Sequence, residues 1–336
     1  MGGRRYKKSS KATKIKRFFI NIFLFIAAQI LVGIAFSMPM VYYGPFETIR
    51  EELVNTAMTT LNHQYIVKWF LSDEVINEIM SKSKIDYEDK ESDVEAIAVF
   101  DDEVQKDESQ VQLINISNDK IKGYILLVKN PSMVRLATTD KIGVRGMKLL
   151  DMVKANNAIG GINAGGFGDE GGVGTGGIPM GLLMKDGEVL YGNENQKYSI
   201  IAFNEDSVLV LGSYTIQEAK ELKVRDAVSF GPYLIVNGEP LIKGSSNGGW
   251  GLAPRTAIGQ RRDGTVIMLV IDGRQITSLG ATLRDVQDIM LEYGAYNAAN
   301  LDGGSSTTMV YENRIVNSPS SKYGPRDLPS AFIITK

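Results

Sequence analysis

The longest apolar run lies near the start of the chain: Phe18 to Val41 holds no charged residue, with Asn21 and Gln29 as its interruptions. At ~1.5 Å per helical residue such a run can cross a ~30 Å hydrocarbon core, which predicts a membrane-spanning helix over 18–41. Residues 45–82 then repeat apolar side chains at helical spacing: Ile49, Leu53, Ala57, Met58 and Leu61, then Ile66, Phe70, Val75, Ile76 and Ile79. Ser72 opens a helix there, with Asp73 and Glu74 suited to its first turn. The pattern predicts a membrane-proximal helical stalk over 42–84. Residues 85–120, acidic and polar around a short IAVF run, read as a linker or domain entry.

From residue 121 to 336 the pattern is of short β-type runs between turn residues, among them YILLVK, MVRLAT, SIIAF, VLVLG, YLIVNG, TVIMLVID and AFIIT. Asp186-Gly187, Asn237-Gly238 and Asp263-Gly264 each sit between apolar runs as hairpin signals. Two helices are predicted inside this region, near Met147–Ala155 and Thr282–Tyr293, the second opened by Thr282 with Asp285 three residues on. The fold class is therefore α+β: a β-rich domain with embedded helices, behind a transmembrane helix and a helical stalk.

Charge gives this layout a direction. Eight of the 37 basic residues fall in residues 1–17, which contain no acid, leaving 29 bases against 39 acids in the rest. A basic tail before the span places the N-terminus in the cytoplasm and the remainder outside the plasma membrane. The competing reading is a cleaved signal peptide, since Ala35-Phe36-Ser37 resembles a cleavage site; the apolar run is longer than the usual 7–15 residues of such a peptide. An acidic exported portion is a poor partner for nucleic acid.

Composition narrows the chemistry. With no cysteine there is neither a disulfide nor a thiolate site, and with His63 as the single histidine there is no multi-histidine metal centre. His63 lies in the helical segment, far from any glycine-rich or carboxylate cluster, and reads as structural. Asp101-Asp102-Glu103 lacks the ligand spacing of a calcium loop and reads as solvated surface. No cofactor is called for.

Glycine is concentrated, with ten of the 35 residues between Gly160 and Gly177. Gly166-Phe167-Gly168-Asp169-Glu170-Gly171 has the form of a dinucleotide fingerprint, but more glycines and then Ile178-Pro179 follow it where a helix is required. The loop instead offers open backbone amides, with Asn163 at the end of a strand. Three further segments carry candidate chemistry. Arg255-Thr256 and Asp272-Gly273-Arg274 each place an arginine, a planar donor fork for phosphate or carboxylate, beside a turn. Asp302-Gly303-Gly304-Ser305-Ser306-Thr307-Thr308 sets a carboxylate against exposed amides and hydroxyls. Asp272 and Asp302 supply the carboxylate pair common in glycoside chemistry.

Taken together, Gly161–Phe167, Arg255–Gly259, Asp272–Arg274, Asn300–Thr308, Asn317–Ser320 and Arg326 resemble the phosphodiester glycosidases, over roughly residues 120–336. The resemblance implies hydrolysis of a sugar-1-phosphodiester on a cell-surface or exopolysaccharide glycan. Asp302, Asp272 and Asn163 are then the catalytic candidates. Arg255, Thr256, Arg274, Gly303, Gly304, Ser305, Ser306, Thr307, Gly165, Gly166 and Arg326 are the candidates for substrate binding. Two alternatives stand beside this: a non-catalytic domain binding an anionic cell-wall polymer, and a phosphodiesterase using a divalent cation.

Overall fold

The computed structural model describes residues 11–59, 63–99, 110–168, 174–321 and 324–336. The Asp101-Asp102-Glu103 run, most of the basic tail and Asp169–Gly171 lie outside these residues. Helix α1, Lys11–Tyr43, is exposed along nearly all of its apolar length. Over Lys14–Tyr43 it has the length and the mean hydropathy, 2.4, of a membrane span, a test that a signal sequence also meets.

Three short helices follow, α2 (Glu47–Met58), α3 (Tyr65–Lys68) and α4 (Asp73–Lys82). They fold back on the end of α1: Tyr42, Val54, Ala57, Val67, Leu71, Ile76 and Ile79 form one buried cluster. Ser72 caps α4 by accepting from the Val75 amide, as its place ahead of an acidic first turn predicts.

The rest is built, among the described residues, from three antiparallel sheets of five to seven strands and a two-stranded pair, Met147–Lys148 with Asp327–Leu328. The largest runs in the order Val111–Asn115, Gly123–Val128, Val266–Ile271, Arg255–Gln260, Asn297–Leu301, Tyr233–Val236, Glu239–Pro240. A second has Val224–Ser229 between Leu183–Lys185 and Tyr198–Asn204, and a third has Gly160–Asn163 between Met309–Tyr311 and Ser330–Ile334. Side chains alternate across a strand. Val266, Met268 and Val270 therefore enter a core shared by all three sheets, with Ile162, Phe203 and Phe332. Ile267, Leu269 and Ile271 face the other way, onto Leu283, Val286 and Met290 of α7, Leu283–Glu292. The second sheet is backed in the same manner by α6 (Ile216–Glu221) and the third by α5 (Leu149–Ala155). Each buried aliphatic side chain contributes ~1.5–3 kcal/mol, so a strand covered on both faces reads as an unbroken apolar run.

The local signals map closely onto this frame. Asp186 and Gly187 have φ of 51° and 80°, and Asn237 and Gly238 of 55° and 79°, each pair closing a two-residue hairpin. Thr282 and Asp285 form a reciprocal capping box at the start of α7. Three elements differ from expectation. Val111–Asn115, within the stretch read as linker, is an edge strand on Gly123–Val128. The IAVF run, strand-like in its apolar residues, forms no strand over its described residues 97–99: Val99 is 64% exposed, and Ala98 donates its amide to the Arg262 carbonyl. Helix α6 is absent from the expected elements: with only Ile216 and Ala219 buried it has no apolar stripe, although Thr215 and Glu218 form a capping box at its start.

Candidate active site

Antiparallel register gathers the candidate residues. Arg255 opens its strand opposite Ile271, and Thr256 lies opposite Leu301. Asp272 and Asp302, each one residue past a strand end, therefore flank the start of the Arg255 strand at one edge of the large sheet. Gly303 is confined there: a Cβ on it would lie 2.8 Å from the Pro254 carbonyl oxygen, and Gly304 donates its amide to the same oxygen at 2.9 Å with φ of +60°.

Asn163, ending a strand of the third sheet, ties that sheet to this edge. Its Nδ2 donates to the Asp302 carbonyl at 2.6 Å, while its Oδ1 accepts from Thr256 Oγ1 at 2.9 Å and the Thr308 amide at 3.1 Å. At 1% exposure, with both ends of the amide engaged, Asn163 acts on the site through the main chain of Asp302. Thr256 is fully buried, its hydroxyl given to Asn163. Of the hydroxyl run, Ser306, Thr307 and Thr308 are also buried, and Ser305 alone is partly open. Asp302 itself is half-buried.

The three arginines differ in kind. Arg255 is 3% exposed; Nε donates to the Ala281 carbonyl at 2.9 Å, and Nη2 to those of Trp250 at 3.0 Å and Gly251 at 2.5 Å. Burial, and then the charge of Arg274, pulls its pKa down to about 9, against the opposing charges of Glu52 and Asp285. Arg274, held at φ +58°, is exposed, and its guanidinium lies about 3.5 Å from where a Cβ of Gly304 would stand. Its side chain donates to no protein acceptor among the described residues. Arg326 donates to Ser305 Oγ at 3.2 Å and lies over the Phe167 ring at 5.2 Å, beside Gly165 and Gly166. A Cβ on Gly166 would meet the Phe230 ring at 2.8 Å, so glycine lets that ring approach the loop.

Asp272 is buried, and its carboxylate accepts from Asn317 Nδ2 at 2.9 Å and from the Ser318 amide at 2.9 and 3.1 Å. Burial raises its pKa above the ordinary carboxylate value, and these hydrogen bonds oppose the rise. Asn317 also donates to the Thr307 carbonyl and accepts from the Met309 amide, linking Asp272 to the Asp302 turn. This linking role is not expected from the residues alone; the Asn317-Ser318-Pro319 run is the signal that marks the position. Among the described residues no three His, Asp or Glu side chains cluster as metal ligands.

A last set of contacts joins α2 and Thr59 to the 247–252 loop. Asn247 donates to Glu52 at 2.8 Å, the Leu252 amide to Thr56 Oγ1 at 3.1 Å, and Thr59 Oγ1 to the Trp250 carbonyl at 3.1 Å. Helix α2 thus holds the loop whose carbonyls hold Arg255.

The chain is 30% identical over 182 residues to the SPbeta prophage-derived protein YomE of Bacillus subtilis, covering 51% of this chain and 27% of that protein. It is 36% identical over 69 residues to N-acetylglucosamine-1-phosphodiester alpha-N-acetylglucosaminidase of Bos taurus, covering 20% of this chain and 13% of that one. The chain thus spans under a third of the length of these relatives. Among solved structures, the zebrafish catalytic domain of that glycosaminidase, auto-inhibited by its pro-peptide, superposes with a TM-score of 0.57 at 21% identity, over 69% of this chain and 85% of that one. It shares the fold. The family model for phosphodiester glycosidases matches residues 156–335, which hold Asn163, Arg255, Asp272, Arg274 and Asp302, and the chain belongs to that family.

Proposed function

We propose that this protein is an exported, membrane-anchored hydrolase that cleaves a sugar-1-phosphodiester of a cell-surface or exopolysaccharide glycan. The observation that carries the reading is the placement, at one end of the large sheet, of the half-buried Asp302 ahead of the Gly303-Gly304 turn beside which an exposed arginine, Arg274, lies with no acceptor of its own. The activity for which the bovine relative is named supports a sugar phosphodiester as substrate class.

In this mechanism Arg274, Arg326 and Ser305 receive the phosphate, and the buried charge of Arg255 stands behind them. The C1–O bond to phosphate breaks with its electron pair leaving on the phosphate oxygen. A phosphate is a good leaving group, so the arginines stabilise charge that grows in the transition state. Asp302 attacks the anomeric carbon or takes the proton of the water that does so. Asn163 fixes Asp302 from behind, and Asp272 holds the Asn317–Ser318 turn. The basic residues ahead of α1 support a cytoplasmic N-terminus and an outward-facing domain over 121–336.

The test is turnover by the full-length chain in detergent on a panel of sugar-1-phosphodiesters. Asp302→Asn keeps the fold and loses about 10²–10⁴-fold in kcat; Arg274→Ala raises the inhibition constant for inorganic phosphate. Binding without sugar release by the natural chain would instead identify a polymer-binding domain, and loss of turnover with a chelator would identify a cation-dependent phosphodiesterase.

A further inference from the structure

The end of α1 carries a group of aromatic side chains that the site does not use. The apolar run Phe18–Val41 extends ~36 Å as a helix, longer than a ~30 Å hydrocarbon core, so its last residues and the two tyrosines after it fall in the headgroup layer. Helix α3 is fastened at that level. Tyr42 donates to the Ile66 carbonyl at 2.8 Å and stacks on Phe70 at 4.5 Å, and Tyr43 donates to the Phe70 carbonyl. The opposite side of this turn is open: Trp69 is 77% exposed, Tyr43 66%, Tyr65 47% and Phe46 40%, with the Tyr65 and Trp69 rings 5.2 Å apart. Lys68, between the last two in sequence, is exposed as well. Tyrosine and tryptophan favour the membrane–water interface because each has an apolar body and a polar tip.

We propose that Tyr43, Phe46, Tyr65 and Trp69 form an aromatic collar that lies in the headgroup layer of the bilayer crossed by α1, so that the partner of this surface is the lipid interface itself. The proposal rests on the membrane-anchored reading. Its consequence is orientation. The end of α1 and α3, which carry most of the collar, pack on α2 through Tyr42, Val67, Val54 and Ala57, and α2 holds the 247–252 loop beside Arg255, so the site is carried at a set height and angle above the membrane.

The sequence contains two tryptophans, Trp69 and Trp250, which makes the test direct. The full-length chain is reconstituted into phosphatidylethanolamine–phosphatidylglycerol nanodiscs, with and without lipids brominated near the headgroup end of the acyl chain. The natural chain should lose much of its tryptophan emission to the brominated lipid, and Trp69→Phe, a change at an exposed ring, should abolish that loss. Trp250→Phe isolates Trp69 and should retain it. Equal emission in the two lipids from a chain whose mass shows α1 intact would overturn the collar and leave the anchor standing. A mass lacking α1 would overturn both. Unquenched Trp69 in a dimer that Trp69→Phe dissociates would assign the surface to a second copy and also overturn the proposal.

Discussion

Asn163 offers the sharpest test of how the site is held. Asn163→Ala removes three hydrogen bonds at once and leaves the Asp302 carbonyl, the Thr256 hydroxyl and the Thr308 amide without this partner in a buried setting. Each orphaned buried group costs ~1–3 kcal/mol, so after some relaxation the loss should total about 3–5 kcal/mol. At ~2–4 °C per kcal/mol for a domain of this size, the melting temperature should fall by roughly 6–20 °C. Asn163→Asp separates hydrogen bonding from shape. The replacement carboxylate would face the Asp302 carbonyl across the former 2.6 Å donor contact, so its folded-state pKa would be raised above the ordinary ~3.9. Its neutral form can still donate. Stability of this variant should therefore be near the natural value at acid pH and be lost as pH rises through the raised pKa. Thermal melts of the full chain across pH measure both effects. An Asn163→Ala change within ~1 kcal/mol, or an Asn163→Asp variant with no added pH dependence, would refute the assignment of Asn163 as the tie between the two sheets.

Two other measurements bear on neighbouring contacts. Because burial raises the Asp272 pKa, ionising it costs stability as pH rises from about 3.8 through the raised folded value; Asp272→Asn should lessen that cost, so the stability difference should shift toward the variant over this window in thermal melts. Gly251 sits at φ +55° with the main chain of Thr56 where a Cβ would stand, so Gly251→Ala should destabilise the chain by about 1–3 kcal/mol and speed amide exchange in α2; Thr56→Ser, which keeps the hydroxyl that accepts from Leu252, should change neither.

Much of the architecture was legible along the chain because it depends on local physics. The apolar span, the alternating strands, the Asp-Gly and Asn-Gly hairpins and the Thr282 cap each follow from periodicity or backbone freedom within a few residues. Where the determinant was distant, the pattern was silent. Asn297–Leu301 reads NAANL, poor in β-formers, yet is fully buried between two strands of the large sheet, where small side chains and strand pairing outweigh propensity. Val111–Asn115 has a burial pattern with a single fully buried residue, so its alternation is lost among the polar residues around it.

The same division holds at the site. Residue types and order alone determined that chemistry here belongs to carboxylates and arginines, since cysteine is absent and histidine is single. Register decided the rest: it set Asp272 and Asp302 on either side of Arg255, turned most of the hydroxyl run inward, engaged Thr256 and Asn163 in holding Asp302, and left Arg274 open to solvent. It also brought α2 against the Arg255 loop, across nearly 200 residues of chain. A hydrogen bond between residues so far apart leaves no periodic trace in either segment, and only the packing of the sheets brings its two ends within reach.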